Sequence, residues 1–117
     1  MKDINGEIQY KDMTYKLVFN LNVMEEIQEK YETLDNWGKL TDGTVKGEVD
    51  VPAVLFGFMQ MLNEGIEIWN DENPSEKRPL LNKKQVGRIL TEYGLSNATS
   101  VMNETVIAST KGEEKNE

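Results

Sequence analysis

The sequence predicts an α+β fold that is mostly helical, with an N-terminal β-hairpin packed on four to five α-helices. Large apolar residues first alternate over residues 13–19 and then recur at helical spacing over residues 24–34, and these are the periods of a strand and a helix. A second apolar stretch, residues 51–69, keeps the helical period throughout. A length of 117 residues suits one domain, and we expect residues 1–110 to form a single globular unit.

The β-hairpin is predicted at about residues 7–20. Ile8 and Tyr10 alternate with polar residues, and Lys11-Asp12 separates this run from the second alternating run. A lone hairpin is unstable in water, so its apolar face must be covered. Either this face packs on the chain's own helices, or a strand edge pairs with a neighbouring subunit.

Helices are predicted over about residues 23–110. The first, residues 23–32, follows the hairpin directly. Asn22 is its expected N-cap, because the side chain can accept a hydrogen bond from a free backbone N–H of the first turn. Glu25, three positions later, can reach back and complete a capping box.

Two stretches are predicted to connect helices. Residues 37–40 form a short turn or helix that Asp35 caps, and a loop with glycine-containing turn signals follows over residues 41–50. Residues 70–79 are polar, and a connection of this length is often mobile.

The central helix is predicted from its N-cap Asp50 to about Asn70. One apolar stripe along it consists of Val51, Leu55, Phe58, Leu62, Ile66 and Trp69. A second stripe beside the first consists of Val54, Met61 and Ile68. The apolar arc covers about half of the helix, more than a surface helix needs. The helix is therefore either the central core element or is packed on both flanks, and Phe56 falls on its opposite, polar side.

Two more helices complete the predicted domain. The third is capped by Asn82 in a capping-box pattern and ends at Gly94. The fourth starts near Ser96, and Ile107 lies off its main apolar side, which indicates a contact besides the core. Residues 111–117 have nothing to bury, and we expect a disordered charged tail there.

Composition argues against catalysis. The chain has no cysteine and no histidine, which removes thiol nucleophiles, thiolate zinc sites, the commonest metal ligand and the usual general base near neutral pH. No phosphate-binding loop is present, and no carboxylate pair has a buried setting, visible from the sequence, that would raise its pKa. We therefore expect a protein that is not an enzyme and has no catalytic, cofactor-binding or metal-binding residues.

Charge and hydropathy narrow the range of partners. The formal net charge of -8 disfavours general binding to nucleic acid or to an anionic membrane. The N-terminal residues contain no apolar run typical of a signal peptide, and the longest apolar stretch carries too many polar residues to span a membrane. We expect a cytoplasmic protein.

One segment, residues 85–104, favours an alternative function. Its two short helices, joined at residues 94–96, are similar to a helix-turn-helix, which indicates a small DNA-binding regulator. The second helix, residues 96–110, contains no lysine or arginine, although phosphate contacts supply much of the affinity of such proteins. We therefore prefer the interpretation that the chain does not bind nucleic acid.

Three segments carry a resemblance to a known family. They are residues 15–31, residues 55–70 (LFGFMQMLNEGIEIWN) and residues 77–90 (KRPLLNKKQVGRIL). Over residues 7–110 the chain resembles the small tail assembly chaperones of long-tailed phages and prophages of Gram-positive bacteria. The shared features are a hairpin, a capped helix after a Phe-Asn pair, an Asn-Glu-Gly sequence near the end of a mid-chain helix, and a Lys-Arg-Pro step into the next helix.

The resemblance implies a non-enzymatic binding protein in the cytoplasm of the host cell. Members of this family coat the tape-measure protein and keep it soluble until tail-tube subunits polymerise around it. The implied partners are the tape-measure protein and the tail-tube protein, and we also expect self-association. A phage or prophage DNA-binding regulator and a minor virion structural protein are the alternatives.

Apolar residues outside the first stripe are the candidate partner contacts. A chaperone for a long helical chain with apolar stripes must offer complementary apolar grooves. The candidates are Val54, Phe56, Met61, Ile68 and Ile107. Met61 suits adaptable contact, since methionine packs against varied shapes. The alternative interpretation is that Met61 and Ile68 belong to the core.

Overall fold

The structure, a computed structural model, describes the backbone of residues 6–115 and the side chains of residues 6–110. A two-stranded antiparallel hairpin is followed by five helices. The elements are β1 Gly6–Tyr10, β2 Met13–Leu17, α1 Leu21–Tyr31, α2 Leu34–Thr41, α3 Val51–Glu72, α4 Lys83–Tyr93 and α5 Leu95–Lys115. The predicted fold class, mostly helical α+β with an N-terminal hairpin, is confirmed.

The hairpin packs its apolar face on the chain's own helices. The two strands pair with Ile8 opposite Tyr15, and both Ile8 and Leu17 are fully buried. Directly after β2, the Val18 N–H donates to the carbonyl oxygen of Met61 in α3 at 3.3 Å. This contact ties the end of the hairpin to the middle of the longest helix.

Asn20 is the N-cap of α1, so the prediction that Asn22 caps this helix is wrong. The Asn20 side chain accepts a hydrogen bond from the Val23 N–H at 3.2 Å. Asn22 instead donates to the Glu64 carboxylate of α3 at 3.1 Å. Because Asn20 donates to the same carboxylate at 2.8 Å, one glutamate of α3 orients both asparagines and fixes where α1 begins.

The short element α2 is a helix, and its N-cap is Thr33 instead of the predicted Asp35. The Thr33 hydroxyl accepts a hydrogen bond from the Asn36 N–H at 3.0 Å. Asp35 lies in the first turn, where it forms an exposed ion pair with a lysine one turn later. Trp37 is buried, and its indole N–H donates to the Ala53 carbonyl oxygen at 3.0 Å, which joins α2 to the start of α3.

The long helix α3 is the central element of the core. Its predicted N-cap is confirmed, since the Asp50 side chain accepts a hydrogen bond from the Ala53 N–H at 3.0 Å. The helix follows a loop over residues 42–50 and extends past its predicted end to Glu72. Its buried residues come from both predicted stripes, and they are Ala53, Val54, Gly57, Phe58, Met61, Leu62 and Ile66.

Two asparagine side chains hold the α3–α4 connection, residues 73–82, against α3. Asn63 donates to the Leu81 carbonyl oxygen at 3.0 Å and accepts from the Leu81 N–H at 2.8 Å. Asn70 forms the same pair of bonds with Arg78, at 2.9 Å and 2.8 Å. The second part of this connection is therefore fixed to the helix that precedes it, whereas its sequence is typical of a mobile linker.

The last two helices are separated by Gly94 alone. The predicted capping box of Asn82 and Gln85 is present at the start of α4. Gly94 ends that helix as predicted, with a φ of 97° that favours glycine. α5 begins at Leu95 and runs through Lys115.

Most buried apolar side chains of the described residues form one cluster, to which both strands and all five helices contribute. α5 contributes Ala98 and Met102, which are fully buried. The disordered tail was predicted at residues 111–117, but α5 includes the backbone of residues 111–115, and residues 116 and 117 lie outside the described residues.

Candidate protein-binding surfaces

The five predicted contact residues do not form one surface. Val54 and Met61 are fully buried, so these two belong to the core and do not reach a partner in this fold. Ile68 and Ile107 are exposed, by 37% and 56% of their surface. Phe56 is half-buried. The second stripe of α3 is therefore core at its first two positions and surface at its third.

Phe56 links α3 to α1. Its ring meets the Tyr31 ring edge-on, with centroids 5.7 Å apart and an interplanar angle of 69°. The Lys30 ammonium lies 5.0 Å from the centroid of the Phe56 ring, within the range of a cation–π contact. Burial raises the pKa of the Tyr31 hydroxyl. These contacts give Phe56 a packing role within the chain.

Five other large apolar side chains are exposed; the apolar periodicity did not single out four of them, and it placed the fifth, Val51, on the first apolar stripe of the central helix. They are Leu21, Val45, Val51, Leu80 and Leu95. Three are the first residues of helices and two lie in connections, where the helical period gives no information about burial. Their exposure could have been predicted from their position directly beside capping or turn residues.

An acidic cleft of about 340 Å³ lies between α1 and α3, with Leu80 at its edge. No lysine or arginine lines it. Its carboxylates are Glu25, Glu26, Glu64 and Glu67, and all but Glu64 are exposed. The cleft therefore combines a strong negative charge with one exposed leucine.

Two adjacent residues of α3 hold the walls of the acidic cleft. Glu64 accepts hydrogen bonds from Asn20 and Asn22 at the start of α1, at 2.8 Å and 3.1 Å. Asn63 forms its two bonds with Leu81 in the connection beyond. Since both neighbouring segments are hydrogen-bonded to α3, the cleft is preformed.

A second concavity, the basic groove, is open, has a volume of about 740 Å³ and lies between β1 and α4. Lys84 and Arg88, both exposed and one helical turn apart, line it together with Tyr10 and Glu92. The Lys11 ammonium lies 5.3 Å from the Tyr10 ring centroid. Two cations thus line this groove against one carboxylate, and a third cation, Lys11, lies against the Tyr10 ring. Within residues 6–110, none of the three forms an ion pair.

Shifted pKa values are concentrated in the loop before α3, away from both concavities. The hydrogen bond from Lys46 lowers the pKa of the Asp50 carboxyl. Hydrogen bonds from the Thr44 hydroxyl and N–H lower the pKa of the Asp42 carboxyl.

In the described part of the chain, no group of three or more acidic residues is placed to hold a metal ion. The interactions that the cleft and the groove offer are electrostatic and apolar contact.

The segment similar to a helix-turn-helix, residues 85–104, comprises most of α4 and the first half of α5. Its cation Arg88 lies on α4 and lines the basic groove. α5 carries no lysine or arginine from its start to residue 110. Over residues 95–110, the helix that would enter the major groove therefore offers no positive charge to the phosphates.

Comparisons with protein-family models, with curated proteins and with solved structures found no match for this chain. Across the residues that the structure describes, no helix is both long enough and apolar enough to cross a lipid bilayer.

Proposed function

We propose that this chain is a non-enzymatic tail assembly chaperone of a long-tailed phage or prophage. It binds the tape-measure protein in the cytoplasm of the host cell and keeps it soluble until tail-tube proteins polymerise around it. The observation that carries this proposal is the resemblance to that family in residues 15–31, 55–70 and 77–90.

The positions of the resembling residues support the proposal. The Phe-Asn pair ends in Asn20, and the Asn-Glu-Gly sequence contains Glu64, which accepts a hydrogen bond from Asn20 at 2.8 Å. Asn63 of the same sequence binds Leu81, just after the Lys-Arg-Pro step. Gly65 lets β2 approach, since an added Cβ would lie 2.6 Å from the Lys16 carbonyl oxygen. The residues that carry the resemblance are thus far apart in the sequence but contact one another in the fold. Residues that maintain a fold shared within a family are expected to do this.

The surface is suited to keeping an apolar chain soluble. Ile68 and Ile107 are exposed large apolar side chains on an acidic protein. Apolar residues of this kind can pack on the stripes of a long helical partner. The net charge of -8 then opposes aggregation of the complex, because like charges repel.

The proposal is tested by co-expressing the chain with a tape-measure protein, which the proposal expects to be encoded downstream of it, and measuring how much of that protein co-purifies. Ile68→Asp and Ile107→Asp each place a charge in a surface that should contact apolar residues. We expect each substitution to reduce the recovered tape-measure protein about fivefold or more.

Ser75→Asp and Ser100→Asp are matched controls, since both serines are exposed and each change adds the same charge. Circular dichroism of all four variants should match that of the wild type. The proposed contact surface is wrong if the isoleucine variants and the serine variants recover equal amounts. The proposed function is wrong if the wild type recovers none.

Gene order gives a second, independent test. A tape-measure gene should lie directly downstream of the gene for this chain. A genome in which no tail genes flank it would contradict the proposed function.

A further inference from the structure

The outer edge of β1 has no backbone partner among the described residues. The sheet has two strands, joined by a turn at residues 11–12. Tyr10 and Met13 therefore form a hydrogen-bonded pair, and bonded and non-bonded pairs alternate from there. Glu7 and Gln9 thus direct their N–H and C=O groups away from β2, and neither backbone bonds to a described helix. An edge of this kind is a template for a further strand.

The outer edge of β2 is closed by α3. The Val18 N–H, directly after β2, donates to the Met61 carbonyl oxygen of that helix. Gly65 of α3 lies so close to β2 that an added Cβ would be 2.6 Å from the Lys16 carbonyl oxygen. A strand from another protein can therefore pair with β1, on the side of the hairpin away from α3.

The basic groove begins where β1 ends. Tyr10, the last residue of β1, lines it, and α4 forms the other wall with Lys84, Gly87 and Arg88. A Cβ added at Gly87 would meet no atom within 4 Å, so packing among the described residues does not require a glycine there. Since glycine inside a helix is destabilising relative to alanine, the consequence of Gly87 that the structure shows is a more open groove.

The spacing of the two cations on α4 suits an extended chain. Lys84 and Arg88 are both exposed and four residues apart, which is about 6 Å along a helix. Alternate side chains of a strand point to the same face and are about 6.6 Å apart. Carboxylates at alternate positions of an extended segment can therefore reach both cations. Among the described residues, Glu92 is the one carboxylate that lines the groove.

We infer that the edge of β1 and the basic groove together bind an extended, acidic segment of another protein. Its backbone pairs with Glu7 and Gln9 as a third strand, and its carboxylates meet Lys84 and Arg88. Main-chain hydrogen bonds supply affinity in this mode of recognition, and the cations select acidic side chains. At 0.1 M salt the screening length is about 10 Å, so these nearby cations outweigh the more distant negative charges. The inference does not depend on the proposed function.

Labelled synthetic peptides give the first test, with the intact chain in fluorescence anisotropy at about 0.1 M salt. One short peptide alternates glutamate with threonine, and a second alternates lysine with threonine. The glutamate peptide should bind about tenfold more tightly or better. Methylation of its backbone nitrogens should remove this binding, because the donors for β1 are lost. Equal binding of the two peptides would overturn the inference, and so would a glutamate peptide that does not bind.

Two variants separate the backbone contact from the charge contact. Gln9→Pro removes an N–H that has no partner among the described residues, and proline is tolerated at such an edge position. Lys84→Glu with Arg88→Glu reverses the charge of the groove. Each should weaken binding of the glutamate peptide about tenfold or more, with an unchanged circular dichroism spectrum.

Each of these variants has a matched control. Gln9→Thr changes the same side chain but keeps the N–H. Lys77→Glu with Lys83→Glu changes the charge equally at exposed positions that do not line the groove. Both controls should bind the glutamate peptide as the wild type does. Equal binding by the proline and threonine variants would contradict pairing with β1, and equal loss in the two charge variants would contradict a specific contact with α4.

A side chain at Gly87 gives the decisive test, because stability and binding should change in opposite directions. Gly87→Gln fills the groove and replaces glycine by a good helix former. We expect the Tm to rise and binding of the glutamate peptide to weaken about tenfold or more. Gly38→Gln, at an open helical position outside the groove, should raise the Tm and leave binding unchanged. Wild-type binding by Gly87→Gln would overturn the inference.

A nucleic-acid duplex is the competing occupant of the basic groove. A labelled DNA duplex should show no binding at about 0.1 M salt that Lys84→Glu with Arg88→Glu removes. Duplex binding that this variant abolishes and that Gln9→Pro leaves unchanged would assign the groove to nucleic acid and overturn the inference.

Discussion

The two halves of α3 are held by different kinds of contact. Half of residues 51–62 are buried, whereas Ile66 is the single buried residue of the second half, 63–72. In the second half, Glu64 binds the start of α1, and Asn63 and Asn70 bind the α3–α4 connection.

This difference shows how one helix serves both the core and the surface. Apolar packing in the first half removes side chains from water and supplies stability. Directional hydrogen bonds in the second half fix where the neighbouring segments lie while leaving its outer face open. The acidic cleft forms at that open face. In the first half, substitutions that add charge or volume should therefore destabilise the fold most. In the second half, substitutions that remove polar side chains should do so.

The largest expected effect comes from a charge at Met61. Met61→Asp buries a carboxylate without a partner, which should destabilise the fold by about 4 kcal/mol or more. Ile68→Asp, seven residues later on the same stripe but 37% exposed, should change the free energy of unfolding by less than about 1 kcal/mol. Urea denaturation measures both. Similar losses for the two variants would contradict the division of α3 into a buried half and an open half.

A methyl group at Gly57 should have the next largest effect. An added Cβ there would collide with the buried Trp37 ring, and such overpacking costs about 2 to 3 kcal/mol. Gly38→Ala is the control, since a Cβ at this helical position meets no atom within 4 Å; it should stabilise the chain by about 0.5 to 1 kcal/mol. Thermal unfolding should shift in opposite directions for the two variants. Shifts in the same direction would show that Gly57 is not a contact position.

In the second half of α3, removing a side-chain amide should detach the α3–α4 connection from the helix. Asn63→Ala leaves the Leu81 N–H and carbonyl without their side-chain partner, at an expected cost of about 1 to 2 kcal/mol. Hydrogen exchange at the backbone amide of Leu81 should accelerate. The backbone amide of Phe58 should still exchange only when the whole chain unfolds. Asn97→Ala is the control, because its exposed side chain makes one long bond of 3.4 Å. Unchanged exchange at Leu81 would contradict the fixed connection.

The smallest expected effect is a pH dependence at the start of α3. The hydrogen bond from Lys46 lowers the pKa of Asp50 in the folded state, so its stabilising contribution is present above the unfolded pKa and disappears as pH falls through the lower folded value. Asp50→Asn keeps the cap but removes the charge. Wild type should exceed this variant in stability at pH 6 by less than about 1 kcal/mol.

This stability difference should shrink as the pH falls below about 4, the unfolded pKa, and through the lower folded pKa of Asp50, because the carboxylate is then protonated in both states. Denaturant unfolding of both proteins across the pH range measures it. A stability difference that stays constant down to pH 2 would contradict a contribution from the charge of Asp50.

Local signals in the sequence predicted much of the fold. The change of period predicted the hairpin and the first helix, and the caps Asp50 and Asn82 fixed two helix starts. The prediction of Asn22 as the cap of α1 was wrong, because the choice between Asn20 and Asn22 depends on Glu64, a residue of another helix. A cap can be read from sequence only where its partners are also local.

The candidate surfaces were less predictable for the same reason. Helical spacing placed Met61 and Ile68 on one stripe, but burial depends on which elements cover each turn. The hydrogen bonds of Asn63 to Leu81 join residues that are 18 positions apart, and no local pattern indicates them. The acidic cleft follows from these long-range contacts, so it became visible only in the folded chain.

The central claim, that this chain keeps a tape-measure protein soluble, is tested most directly by one measurement. A tape-measure protein, which the proposal expects to be encoded directly downstream of this chain, should be expressed alone and together with it, and its soluble fraction compared. We expect it to be mostly insoluble alone and mostly soluble, in complex with this chain, when the two are expressed together. An equal soluble fraction in both cases would contradict the claim.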